Sequence, residues 1–90
     1  ALAYDTTIAT AVRFMEEHFA DAIRIEQVAA LVCLSPDRFT ELFRQRMGRT
    51  PSDYLRHVRL EKARLLLATT DSSTEEIARL SGLGSAAYLT

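Results

Sequence analysis

Eight of the eleven basic residues in this 90-residue sequence lie within one stretch, residues 38–64. They are Arg38, Arg44, Arg46, Arg49, Arg56, Arg59, Lys62 and Arg64. That stretch holds three acidic residues and a net charge of +5, whereas the rest, with three basic and nine acidic residues, carries −6. Cationic side chains clustered in this way can bind a polyanion on one side of a molecule whose overall charge is only −1. On charge alone, a solvated arginine-rich surface is an equal alternative.

The residue types that serve catalysis or metal binding are few and scattered. Cys33 is the single cysteine, so no internal disulfide can form, and no His/Cys cluster with zinc-ligand spacing surrounds it. We interpret it as a small apolar turn residue, with a redox-sensing thiol as the alternative. His18 and His57 have no carboxylate or cysteine partners at ligand spacing and are interpreted as surface residues. Without a nucleophile–base pair, a phosphate loop or a metal motif, the sequence predicts no enzyme, no cofactor and no metal site.

Length and composition predict one small domain, or two very small ones that share a connector. Three glycines and two prolines provide little turn material, while alanine, leucine, glutamate and arginine favour helices. We therefore predict an all-α fold. No apolar run reaches the roughly 18–20 residues that span a bilayer, and the start of the sequence lacks the pattern of a secretory signal. These features predict a cytoplasmic location, and no partner in a membrane.

The first half of the sequence predicts a helix-turn-helix. Apolar residues at helical spacing indicate a helix from Thr6 to Phe19 and a second from Ile25 to Val32. Ser35-Pro36 then gives a strong start signal for a third helix, which runs to Met47 and stops at Gly48. Only a short turn separates the second and third helices, as in a helix-turn-helix. The spacing alone does not exclude a plain corner between two helices.

A long fourth helix is predicted from Thr50-Pro51 to Ala68. It is apolar on two separate faces and must therefore pack against two partners. One face holds Tyr54, Leu55, Val58, Leu65 and Leu66, and the other holds Leu60, Ala63 and Leu67. About 18 residues of helix span roughly 27 Å. This length suits a spacer between two subdomains.

The remaining residues predict a second, shorter unit. A polar loop over 69–74 supplies a helix cap, with Ser73 and Glu76, or Ser72 and Glu75, as the capping box. The fifth helix would run from Thr74 to Ser81 and stop at Gly82. A sixth helix would begin near Ser85.

A short internal repeat relates the two halves. Val28-Ala29-x-Leu31-x-x-Leu34 reappears 49 residues later as Ile77-Ala78-x-Leu80-x-x-Leu83. Two apolar matches can arise by chance in a helical protein. Their position on either side of a two-faced helix nevertheless favours duplication of a helix-turn-helix. Each unit would then present one reading helix, with the spacer fixing their separation near one DNA turn, about 34 Å.

These motifs resemble, in order and over nearly the whole chain, the DNA-binding domain of the AraC/XylS family of bacterial transcription regulators. The matching segments are Ile25-Glu-x-Val28-Ala29, Leu34-Ser35-Pro36-x-x-Phe39-x-x-Leu42-Phe43-Arg44, Gly48-x-Thr50-Pro51-x-x-Tyr54-Leu55, Arg59-Leu60-x-x-Ala63-x-x-Leu66-Leu67 and Glu76-Ile77-Ala78-x-x-x-Gly82-Leu83. The resemblance implies two homeodomain-like helix-turn-helix subdomains that enter successive major grooves of double-stranded operator or promoter DNA. It also implies a transcriptional activator or other regulator with an effector-sensing or dimerisation domain outside this chain, and allows RNA polymerase as a partner.

On this basis we divide the chain into a first subdomain (1–49), a linker helix (50–68) and an incomplete second subdomain (69–90). The sequence ends within the second reading helix, so we expect the segment from Thr74 to Thr90 to be poorly held or to borrow packing from a neighbouring chain, while Thr6 to Ala68 stays ordered. Two further departures from the family pattern concern the first unit. Cys33 stands where the family often has glycine, and Asp37 and Glu41 put negative charge on the reading helix.

The exposed side of the third helix holds the candidates for DNA contact. Arg44 could grip guanine O6 and N7, Glu41 could accept from cytosine, and Thr40 could touch a thymine methyl. The full set of base-contact candidates is Asp37, Arg38, Thr40, Glu41 and Arg44, and the phosphate-contact candidates are Ser35, Gln45, Arg46 and Arg49. As alternatives, Arg44 would bind phosphate or solvent, and Glu41 would only repel wrong sequences or hold Arg38 or Arg44 in place. The rival class of function is a helical protein–protein module that docks through the two-faced helix.

Overall fold

A computed structural model describes residues 2–84 of the chain, with side chains from Thr6 onward. Five helices follow one another, and the described residues contain no strand. The helices are α1 (Leu2–Glu17), α2 (Ile25–Leu31), α3 (Pro36–Met47), α4 (Pro51–Thr69) and α5 (Thr74–Ser81). The all-α prediction is confirmed. The sixth helix expected near Ser85 lies outside the described residues.

Local capping signals set the starts of three helices. The side-chain oxygens of Ser35, Thr50 and Ser73 each accept a hydrogen bond from the backbone N–H three residues later, at 3.2 Å in all three cases. The helix ends are marked by Gly48 and Gly82, which adopt left-handed conformations with φ of 77° and 80°. The predicted bounds of α3 and α5 are therefore confirmed, and Ser73 rather than Ser72 caps α5.

The first unit closes around one apolar core formed by α1, α2, α3 and the start of α4. Its buried side chains are Ile8, Ala11, Met15, Val28, Ala29, Phe39, Leu42, Phe43 and Leu55. The ring of Phe43 meets those of Phe39 and Tyr54 edge-on, with centroids 5.6 Å apart in both pairs. The contact between Phe43 and Tyr54 joins α3 to the start of α4.

The bounds of α1 differ from the sequence-based prediction at both ends. The helix begins at Leu2 rather than at Thr6 and ends at Glu17 rather than at Phe19. The chain leaves the helix before Phe19, and the Phe19 carbonyl accepts a hydrogen bond from Arg59 of α4 instead. The local apolar pattern could not indicate this hydrogen bond, because Arg59 is 40 residues from Phe19 in the sequence.

The α5 helix packs on α4, in the segment that was expected to be poorly held or to borrow packing from a neighbouring chain. Ile77, Ala78 and Ser81 of α5 are buried, and so is Ala63 of α4. The Ser81 hydroxyl is satisfied internally, because it donates to the Ile77 carbonyl at 2.7 Å. The inner face of α5 thus finds its partner on α4. The rest of that segment, residues 85–90, lies outside the described part of the chain.

The α4 helix packs against α1 and α3 of the first unit and also against α5, which confirms that it has two partners. Two of the leucines assigned to its apolar faces are nevertheless solvent-facing. Leu65 is 54% exposed and Leu67 is 45% exposed. Among the described residues, α5 covers only one side of the last turns of α4, so these two predictions of burial are wrong.

The internal repeat holds at the level of the backbone. Arg24 and Ser73, 49 residues apart, are the N-cap residues of α2 and α5, and both are extended. The turns that follow the two helices have the same pair of backbone hydrogen bonds. In the first turn, Cys33 N–H donates to the Ala30 carbonyl and Leu34 N–H donates to the Ala29 carbonyl. In the second turn, Gly82 N–H donates to the Arg79 carbonyl and Leu83 N–H donates to the Ala78 carbonyl. The two segments are therefore the same helix-and-turn unit used twice.

Cys33 occupies a backbone conformation that normally favours glycine. Its φ is 62°, the same left-handed region as Gly82 at the equivalent position of the second unit. For a residue with a Cβ, this conformation costs about 1–2 kcal/mol. Cys33 lies in the turn after α2, as interpreted from the sequence, and its side chain is exposed. Cys33 therefore replaces the glycine that the family often has at this position at the cost of backbone strain.

Candidate nucleic-acid interface

The predicted reading face of α3 is a continuous exposed surface. Asp37, Thr40, Glu41 and Arg44 line one shallow depression on the outside of the first unit. Phe39, Leu42 and Phe43, which alternate with them along the helix, are buried in the core. Four of the five base-contact candidates thus share one surface, because a 3.6-residue period places positions i, i+3, i+4 and i+7 on one side.

The fifth candidate, Arg38, flanks this depression and pairs with Glu41. The Arg38 guanidinium lies 3.6 Å from the Glu41 carboxylate, and Gln45 Nε2 donates to the same carboxylate at 3.5 Å. Of the alternatives for Glu41, the structure therefore shows the pairing with Arg38 and not with Arg44. Arg44 makes no ion pair in the described part of the chain and can offer all its N–H donors to a ligand.

The phosphate-contact candidates are more dispersed than the base-contact candidates. Ser35 is engaged as the cap of α3, and Gln45 is engaged with Glu41. Arg46 lies beside Ile8 and Val12, where α3 faces α1. Arg49 follows the helix end and is exposed. None of these four residues lines the depression formed by Asp37, Thr40, Glu41 and Arg44.

Tyr54 anchors the start of α4 to α1 close to this surface. Its hydroxyl donates to the Glu16 carboxylate at 3.4 Å. Partial burial, together with the charge of Glu16, raises the pKa of the Tyr54 phenol. The phenol therefore remains a neutral donor, which is the state that this contact requires.

Sequence reasoning missed the role of Arg59. It appeared there as a member of the basic stretch and of a segment that matches the family, without a contact assigned to it. Its guanidinium is partly buried and donates to the carbonyls of Phe19 and Asp21 in the turn after α1. The same burial lowers the pKa of this arginine, although a guanidinium stays protonated in proteins. No local pattern marks such a contact, because its two sides are about 40 residues apart.

The prediction that His18 has no carboxylate partner is wrong, although His18 does lie at the surface. His18 has a carboxylate partner, since its Nδ1 lies 3.2 Å from Oδ2 of Asp21. The i,i+3 spacing of these two residues was available in the sequence. The pair is exposed, and within the described residues no three potential metal ligands come together. None of the described helices is long and apolar enough to cross a membrane.

Comparison with known proteins places this architecture in a family. The family described as "Helix-turn-helix domain" matches residues 28–90. The transcriptional activator RhaS of Klebsiella pneumoniae is 44% identical over 71 residues, which cover 79% of this chain and 26% of RhaS. The arabinose operon regulatory protein of Escherichia coli is 34% identical over 85 residues, which cover 93% of this chain and 29% of that protein. The chain thus spans under a third of the length of these curated relatives.

Solved structures show the same fold. The DNA-binding domain of the global transcriptional factor AdpA, in complex with a target DNA, superposes with a TM-score of 0.86 and 32% identity, covering 91% of this chain and 74% of AdpA's. A transcriptional regulator with an AraC-type DNA-binding domain from Chromobacterium violaceum gives a TM-score of 0.86 and 28% identity, covering 98% of this chain and 79% of its own. The chain therefore belongs to the AraC/XylS family of transcription regulators and carries its AraC-type helix-turn-helix domain.

Proposed function

We propose that this chain binds double-stranded DNA in a sequence-specific manner, as the DNA-binding part of a regulator of transcription. The observation that carries the proposal is the outer face of α3, on which Asp37, Thr40, Glu41 and Arg44 line one exposed depression. A helix presented in this way fits the major groove, where arginine can bind guanine and threonine can contact thymine. The superposition on a domain solved with its target DNA supports the same assignment.

The dimensions of the molecule support reading at two points along DNA. The described residues extend 44 Å along their longest axis and 19 Å along the other two. Successive major grooves on one face of a duplex are about 34 Å apart. We infer a first reading unit in residues 1–49, a linker helix in 50–68 and a second unit beginning at residue 69. We further propose that the protein is cytoplasmic and associated with the nucleoid, and that it has no catalytic role. The whole regulator would have an effector or dimerisation domain outside this chain and RNA polymerase as a partner.

The rival function, a protein-docking module, loses its main argument in the structure. It rested on a fourth helix with two free apolar faces. Most of α4 is used internally, because it packs against α1 and α3 as well as against α5, and only Leu65 and Leu67 among its large apolar side chains are exposed. Docking of a protein on α4 would not account for the exposed face of α3 with Arg44 and its shallow depression, whereas DNA binding would use both.

Salt dependence tests the proposal directly. We expect the association constant for duplex DNA to fall linearly with salt on a double-logarithmic plot, because neutralised phosphates release their counterions. If about four phosphates are engaged, affinity should drop roughly a hundredfold between about 50 and 200 mM salt. Fluorescence anisotropy with a labelled duplex measures this slope. Binding that is absent at low salt, or that is insensitive to salt, would contradict DNA binding as the function.

The two classes of arginine should differ in what they contribute. We expect Arg44→Ala to weaken binding to a preferred duplex by about 1–3 kcal/mol and to relax the preference at one base pair. Arg49→Ala should lower affinity evenly on all sequences and flatten the salt slope, because a phosphate contact reads no sequence. Preferred duplexes can be selected from a randomised pool and compared with random DNA by titration.

Arg13→Ala is the matched control for these variants, because Arg13 is an exposed arginine on α1, outside the predicted face. It should leave both the preference and the affinity close to those of the parent chain. If Arg44→Ala and Arg49→Ala lose equal affinity on preferred and random DNA, Arg44 does not read a base.

A further inference from the structure

Three parts of the chain that are distant in sequence meet at one place, which we call the junction. It comprises the turn of residues 18–21 after α1, Arg59 in the middle of α4, and Gly82 at the end of α5. The turn belongs to the first unit, Gly82 belongs to the second, and Arg59 belongs to the helix between them. The junction is therefore the point at which the two units touch directly, beyond their common attachment to α4.

Arg59 ties the connecting helix to the first unit through the backbone. Its Nε donates to the Phe19 carbonyl at 2.7 Å, and its Nη2 donates to the Asp21 carbonyl at 2.9 Å. Charged donors make stronger hydrogen bonds than neutral ones. Lys62, one turn further along α4, adds a contact to the same segment, with Nζ 5.6 Å from the centre of the Phe19 ring. These bonds hold α4 against the turn at a defined rotation about its own axis.

Gly82 brings the second unit against the same carbonyl. A Cβ placed on Gly82 would lie 2.5 Å from the Phe19 carbonyl oxygen, 2.9 Å from the Ala20 Cα and 3.1 Å from Arg59 Nε. The equivalent residue of the first unit, Cys33, has an exposed side chain in the same backbone conformation. The absence of a side chain at Gly82 therefore serves the close approach of the two units, and not the turn alone.

We propose that Arg59 is a positioning residue that fixes the second helix-turn-helix unit relative to the first. The Phe19 carbonyl is the shared point, since it accepts a hydrogen bond from Arg59 and lies so close to Gly82 that a Cβ there would be 2.5 Å from its oxygen.

Removal of the Arg59 guanidinium leaves α5 attached to α4 through Ile77 and Ala78. It also leaves the start of α4 held to the first unit by Tyr54 and Leu55. The middle of α4, however, loses its hydrogen bonds to the turn after α1. The consequence for reading two successive grooves rests on the proposed function, whereas the fixed orientation itself does not.

Distance measurement between two spin labels tests the orientation without DNA. Cys33 is exposed and is the single cysteine of the chain, so it provides the first label site. A Thr74→Cys change provides the second, on the exposed start of α5. The parent chain should give one narrow distance distribution. With Arg59→Ala, the distribution should become roughly twofold broader, as expected when a local contact that limits a hinge is lost.

Two further variants separate positioning from general loss of structure. Arg59→Lys retains one cationic donor and should recover part of the narrow distribution. Arg64→Ala removes an exposed arginine of the same helix, 71% exposed and paired only with Glu61 among the described residues, and should change nothing. Hydrogen exchange of the amides of Phe39 and Phe43 should be unchanged in all variants, which shows that the first unit remains folded.

An unchanged narrow distribution in Arg59→Ala would overturn the proposal, and so would equal broadening in Arg64→Ala. DNA titration of the same variants separates this inference from the proposed function. If the distribution broadens and the preference for a selected duplex over random DNA falls with it, both stand. If the distribution broadens although even the parent chain shows no salt-dependent binding, the positioning role of Arg59 stands and the proposed function fails.

Discussion

Replacement of Phe43 by alanine is expected to destabilise the chain by about 3–5 kcal/mol, which is the usual cost of removing a fully buried aromatic ring. Phe43 has no exposed surface, and its ring contacts those of Phe39 and Tyr54 edge-on. The change would therefore open a cavity where α3 meets α4. Urea unfolding followed by circular dichroism measures the loss. Because a domain of this size has only a modest reserve of stability, a substantial fraction of the variant should be unfolded at 37 °C.

The matched control for Phe43→Ala is Leu65→Ala, which removes an apolar side chain that is 54% exposed. An exposed substitution of this kind should change stability by no more than about 0.5 kcal/mol. Comparison with Arg44→Ala adds a functional control. Arg44 is the next residue along α3 but faces solvent, so its loss should weaken DNA binding without lowering stability. A Phe43→Ala variant that loses less than about 1 kcal/mol would show that α3 is not held by this core.

Much of the fold could be predicted because its signals are local. Ser35, Thr50 and Ser73 act as caps within three residues of their partners, and Gly48 and Gly82 end helices through their own backbone conformation. The exposed face of α3 followed from the helical period, which places Asp37 and Arg44 on the side opposite to Phe39. The offset of 49 residues between the two units was also visible, since it rests on the apolar positions that form each inner face.

What could not be predicted depends on contacts between distant parts of the chain. The end of α1 was placed at Phe19, because its apolar ring continues the helical pattern, whereas its carbonyl is drawn to Arg59. Leu65 and Leu67 continue the apolar faces of α4, but exposure depends on how much of that helix α5 covers. The pairing of Arg38 with Glu41 was one of two alternatives of similar spacing, so only side-chain positions could decide between them. Periodicity identifies an inner face but not its partner.

Substitution of Gly82 by alanine is the second change for which we expect a large loss of stability, and substitution of Gly48 by alanine is its matched control. Both glycines end helices in the left-handed conformation, with φ of 80° and 77°. Substitution by alanine at either position should cost about 1–2 kcal/mol for that backbone conformation alone. A Cβ at Gly48 would have no heavy atom within 4 Å, whereas one at Gly82 would lie 2.5 Å from the Phe19 carbonyl oxygen.

We therefore expect Gly82→Ala to be more destabilising than Gly48→Ala by about 1–3 kcal/mol, the typical cost of forcing additional atoms into a packed site. The atoms that would have to move are backbone atoms of Phe19 and Ala20, not the end of a flexible side chain, so relief is expensive. Urea unfolding of the two variants gives the difference, since the conformational cost is common to both and cancels. Hydrogen exchange should further show that Gly82→Ala increases exchange in α5 more than in α3, because the clash acts where the second unit meets the first. Equal destabilisation by the two variants would mean that the turn after α1 yields without cost, and that Gly82 serves only to end its helix.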